Sequence, residues 1–75
     1  MDDTARDTLL VRTALEARRE CAKSIPPITN IDSIADAFDA FSALHVEAAV
    51  DRLCDLGFMS EVTTTSVRVF VWMGP

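Results

Sequence analysis

Between residues 4 and 24, in "TARDTLLVRTALEARRECAKS", apolar positions recur at Leu10, Ala14, Ala17 and Cys21 with no Gly or Pro among them. That spacing predicts one long helix. Its early acids and late bases match the helix dipole, and Ile25 before Pro26-Pro27 marks the stop. Val11, Leu15 and Ala22 widen the apolar face, so the helix is either the central core helix held from two sides or pairs one flank with a second copy. After the prolines, "PIT" has room only for a short extended segment. Asn30 is a good N-cap for "IDSIADAF", a second helix of about two turns with Ile31, Ile34, Ala35 and Phe38 inward. "DAFS" then makes a tight connection, Ser42 caps a third helix, and Val46, Ala49, Val50, Leu53 and Cys54 form its buried stripe. Gly57 ends that helix, with Phe58 packing just beyond.

The period then changes. "EVTTTSVRVFVWM" is rich in β-branched and aromatic residues and predicts two strands with a turn at Thr64 to Ser66. In the second strand Val67, Val69, Val71 and Met73 share one face, and Arg68, Phe70 and Trp72 share the other. If the valines face the core, Arg68, Phe70 and Trp72 are left outside as a secondary interface candidate, the composition favoured at hot spots. In the opposite orientation the first helix covers that face and Trp72 is core. The order is α1, short β1, α2, α3, β2, β3. This describes an α+β fold, three helices plus a C-terminal β-hairpin, and residues 1–75 are too few to divide into more than one domain.

Within that order, "NIDSIADAFDAFSALHVEAAVDRLCDLGFM" resembles the second and third helices of winged helix-turn-helix domains. It shows a polar cap, the apolar-Ala pair Ile34-Ala35, a short turn, and an "LGF" ending that leads into a wing. The resemblance runs from about Thr4 to Met73 and identifies no subfamily. It implies a third helix in the major groove of DNA, with the wing on the backbone or in the minor groove. The positions that would read bases are Ala43, Leu44, Glu47, Ala48 and Asp51. None is an Arg, Lys, Asn or Gln, the side chains that make bidentate base contacts. Only Arg52 lies near the rim, and the wing supplies Arg68.

Charge turns the expectation away from DNA. The net charge is -5, and residues 1–23 contribute nothing to it, since their five acids meet five bases. All of the excess lies downstream, where seven acids face only Arg52 and Arg68. Glu47, Asp51 and Asp55 form one ridge and Asp32, Asp36 and Asp39 another. Like charges at such spacing destabilise a helix by roughly 0.2–0.5 kcal/mol per pair. These six residues are the candidate partner-binding set, and the partner expected is a basic nucleic-acid-binding protein. The chain would then act as a DNA-mimic inhibitor, in the manner of phage-encoded anti-defence and anti-CRISPR proteins. A plainer reading is that the acids keep a small apolar protein soluble or suit a high-salt cytoplasm. The alternative function is a dimeric DNA-binding transcriptional regulator, with Arg6, Arg12, Arg18, Arg19, Arg52 and Arg68 gathered by pairing into one positive surface. The oligomeric state expected is a monomer, or a homodimer through the first helix.

Other chemistry finds little footing. Cys21 and Cys54 are far apart and read as buried thiols, with a single bridge or a redox-responsive thiol as alternatives. His45 and Cys54 fall on opposite faces of one helix, so neither a metal nor a cofactor is expected. The chain lacks a Gly-rich phosphate loop and a nucleophile elbow, and Ser42 and His45 have no orienting acid, so no enzyme is expected. No apolar run approaches the ~20 residues that span a bilayer, and "MDDTARD" is unlike a signal peptide. A cytoplasmic protein without membrane contact is the expectation.

Overall fold

The computed structural model describes residues 2–38, 43–62 and 66–74. Its elements are α1 (Asp3–Lys23), β1 (Ile28–Asn30), α2 (Ile31–Ala35), α3 (Ala43–Asp55), β2 (Met59–Val62) and β3 (Val69–Trp72). Three helices thus accompany one three-stranded antiparallel sheet, in the order expected. Asp39, Ser42 and the turn residues Thr64 and Thr65 lie outside the described residues. Among the described residues, no helix is long and apolar enough to cross a membrane.

α1 and α2 each begin where a side chain accepts an orphan backbone donor. Asp2 caps α1 by accepting from the Ala5 N–H at 2.7 Å, and Asn30 caps α2 by accepting from the Ser33 N–H at 2.8 Å. Caps of this kind contribute about 1 kcal/mol each. α2 is a single five-residue helix, shorter than expected, and the chain continues as a turn to Phe38. Ile34 and Phe38 are buried, and the Arg12 guanidinium lies 5.5 Å from the Phe38 ring centroid, tying α1 to the end of α2. α3 buries Val46, Ala49, Val50 and Leu53 as read from the sequence, with Cys54 half-buried at the margin. Gly57 ends the helical run at φ 87°, where its N–H donates to the Cys54 carbonyl and the Phe58 N–H donates to the Leu53 carbonyl. This is the Schellman arrangement, which needs a left-handed residue that glycine adopts without a Cβ clash.

The buried stripe of α1 is rotated from the expected one. Leu9, Thr13, Ala17 and Cys21 are inside, and Leu10 and Ala14 only lean on the core. The four-residue repeat allows one helix to meet α3 on one side and the sheet on another. Thr13 is polar and so falls outside an apolar stripe read from the sequence. Its hydroxyl and that of Thr29 are buried and find no hydrogen-bond partner among the described residues. An unpaired buried hydroxyl costs about 1–3 kcal/mol, and Val matches Thr in shape and in helix propensity. Thr13→Val is therefore expected to raise the unfolding free energy by about 1 kcal/mol, measured as a higher denaturation midpoint. An unchanged or lower midpoint would mean that the hydroxyl is satisfied in solution.

The sheet order is β1-β3-β2, so β3 is central. Thr29 and Glu61 both pair with Phe70, and Met59 pairs with Trp72, so these residues share the helix-facing side. Phe70 is 0% exposed and Trp72 is partly buried against the core, whereas Val67 and Met73 are exposed and Val69 and Val71 half-exposed. The two faces of β3 were separated correctly, but the aromatic face is the inner one. Phe70 and Trp72 therefore do not form an exposed interface. The physical reason is that the helices cover only one side of the sheet. Rings that bury 150–250 Å² each gain more from the covered side than valines do.

Candidate functional site

Arg68 precedes β3 on the same side as Phe70, and its guanidinium lies 5.1 Å from that ring centroid. The stacked ring holds the planar group at the edge of the sheet, where β2 and α3 both come within reach. Nε donates to Glu61 Oε2 at 3.1 Å and Nη2 to Glu61 Oε1 at 3.0 Å, a bidentate fork. Nη1 donates to Glu47 Oε2 at 2.9 Å, and Nη2 donates also to Asp51 Oδ1 at 2.7 Å. One guanidinium thus gathers three carboxylates from α3 and β2.

This arrangement answers the repulsion expected along α3. Glu47 and Asp51 stand one turn apart as like charges, and Arg68 is inserted between them from the sheet. With three acids against one base the cluster keeps a formal charge of -2. The hydrogen bonds from Arg68 hold the Glu61 carboxyl below the usual carboxylate range. The same bonds hold Arg68 still more firmly protonated than an ordinary arginine. The side chains are 35–51% exposed, so the ion pairs stabilise the fold only modestly. Their larger effect is to fix where the carboxylate oxygens point.

The expected acidic residues divide into those the fold assembles and those it leaves apart. Glu47 and Asp51 join the cluster, and Asp32 lines a groove together with Glu47 and Arg68, beside Asn30, Leu44 and Val67. Asp36 and Asp55 are exposed and take no part in the Arg68 network, and Asp39 lies outside the described residues. Glu61 is absent from the expected set although it accepts two hydrogen bonds from Arg68, where Glu47 and Asp51 accept one each. A signal for it existed. Glu61 pairs with Phe70, which places Arg68 diagonally across the hairpin, where opposite charges attract.

Arg68, expected as part of an exposed aromatic patch, instead belongs to the acidic site. Among the described residues no group of three or more His, Cys, Asp or Glu is placed to hold a metal ion. Both cysteines are free, and burial pushes each thiol above its ordinary pKa, which suits unreactive packing groups. His45 and Arg52 line a different groove, between α3 and the start of α1, together with Arg6 and Asp7. Compared with known proteins, the chain matches no family model, no curated protein and no solved structure.

Proposed function

We propose that this chain is a winged-helix-type domain whose third helix serves protein binding, presenting carboxylates to the basic, nucleic-acid-binding surface of another protein. The observation that carries this reading is the Arg68 cluster. The face of α3 that would meet DNA bears Glu47 and Asp51, and the arginine beside them is already bound to three carboxylates. The net negative cluster offers preset acceptor oxygens to Lys and Arg side chains, and charge-assisted bonds to such groups are the strong ones. Asp32 extends the surface along the groove, and Asp36 and Asp55 add to its field. The mechanism is steric and electrostatic competition with nucleic acid for the target.

Two measurements test this. Fluorescence anisotropy with a mixed-sequence duplex at low salt should show no binding, since nonspecific affinity is greatest there. Salt-sensitive binding would instead favour the dimeric DNA-binding regulator. In affinity capture, a basic partner should be retained by the wild type, be displaced by duplex DNA, and be lost with Glu47→Gln/Asp51→Asn, whose fold is checked by circular dichroism. Capture undiminished in that double variant would sink the proposal.

A further inference from the structure

α1 carries a second stripe that nothing among the described residues covers. Thr4, Thr8, Val11, Leu15, Arg18 and Ala22 repeat in alternating steps of four and three, the spacing of a helix-pairing seam, and every one of them is exposed. Val11 is 59% and Leu15 61% exposed at its middle. Beside the seam runs an apolar groove lined by Leu10, Ala14, Leu53, Leu56, Phe58 and Trp72. Leu56 and Phe58 are themselves partly open to solvent, at 47% and 39%. The apolar surface is thus continuous from α1 across the end of α3 to the sheet.

Charge identifies what covers it. Asp7 flanks the seam and Arg18 lies at its edge on the same side, both exposed, and neither has an ion-pair partner among the described residues. They stand eleven residues apart, about 16 Å along the helix, too far to reach each other within one chain. A second α1 laid antiparallel across the first, with the two-fold axis near the middle of the Val11–Leu15 segment, brings Asp7 of each copy level with Arg18 of the other. In antiparallel pairing the same flank of each helix faces its like, so the two residues meet on the correct side. A two-fold contact repeats every pair, which gives two such bridges around a shared apolar centre.

We infer that the chain forms a symmetric antiparallel dimer through this seam, with Val11 and Leu15 at the axis and Asp7–Arg18 pairs at both ends. The inference does not depend on the proposed function. On α3 Leu53 lines the groove beside the seam, and Glu47 lies six residues before it, about 120° away around the helix, so pairing leaves the acidic cluster uncovered on each copy.

Sedimentation velocity tests the dimer. The wild type should pass from monomer to dimer with rising concentration, and Leu15→Glu should stay monomeric with its circular dichroism unchanged. Asp7→Arg and Arg18→Asp should each lose the dimer when alone, since each sets like charges level with one another. An equimolar mixture of those two variants should regain it as a heterodimer, because all four groups then meet their opposites. That recovery could not come from variants that had merely unfolded. A wild type that stays monomeric at its highest soluble concentration would overturn the inference. So would single charge reversals that dimerise as the wild type does, or a mixture that fails to recover.

Discussion

Phe70→Ala is expected to abolish the cooperative unfolding transition, leaving a compact chain without a fixed core. Phe70 is the largest fully buried side chain. It sits at the centre of the sheet with Thr29 and Glu61 beside it and the helices above. Truncating a buried Phe removes about 3–5 kcal/mol. Natural stability is only ~0.05–0.15 kcal/mol per residue, so a 75-residue chain has little beyond that to lose. Circular dichroism melts with a near-ultraviolet probe would read the result. A sharp transition within a few degrees of the wild type would show that the aromatic face does not carry the core. The loss should vary only weakly with salt or with pH near neutrality, because the buried area around Phe70 dominates it and the Arg68 guanidinium stacked on the ring adds a smaller part.

Arg68→Gln should show the opposite signature, a smaller loss that depends on both. Removing the guanidinium leaves Glu47, Asp51 and Glu61 facing one another without a counter-charge. The side chains are a third to a half exposed, so the expected loss near pH 7 is modest, well below that of Phe70→Ala. The sign of the pH dependence follows from Glu61, whose pKa is lowered in the folded state mainly by its hydrogen bonds to Arg68. A lowered carboxyl contributes stability that is fully present above its unfolded value of about 4.3. That contribution is lost as pH falls through the folded value. The gap between wild type and variant should therefore be widest near neutrality, close on acidification, and shrink with added salt. Chemical denaturation across pH measures the gap, and resonance titration of Glu61 should show its carboxyl rising toward the ordinary value in the variant. A gap that widens on acidification would contradict the network.

The two residues also show why some of the site was legible and some was not. Glu47 and Asp51 stand out in sequence because helical spacing puts them on the exposed side of a clear apolar stripe. Their neighbour Arg68 is 21 residues from Glu47 along the chain and 17 from Asp51. No local period connects them, and only the hairpin register and the packing of α3 beside β2 do so. Repulsion between Glu47 and Asp51 holds for an isolated helix, and the folded protein offsets it with the arginine that the sheet delivers.

Elements whose signals are local were determined by the sequence itself. Asn30 caps α2, Gly57 ends the α3 segment in a left-handed residue, and the stripe from Val46 to Leu53 faces inward. Each follows from hydrogen-bonding groups or periodicities that act within a few residues. The alternation in β3 likewise separates Phe70 from Val69 and Val71 without reference to any tertiary contact.

Tertiary structure decided which of those faces turns inward, because both are apolar and a strand has no preference of its own between its two sides. It chose the side where the aromatic rings meet the helices. It also placed Thr13 inside and Val11 and Leu15 outside, since a helix whose apolar residues are scattered around its circumference is oriented by what packs against it. Finally it joined Arg68 to three carboxylates from two other elements, because burial of Phe70 beneath the guanidinium fixes that side chain at the junction of α3 and β2.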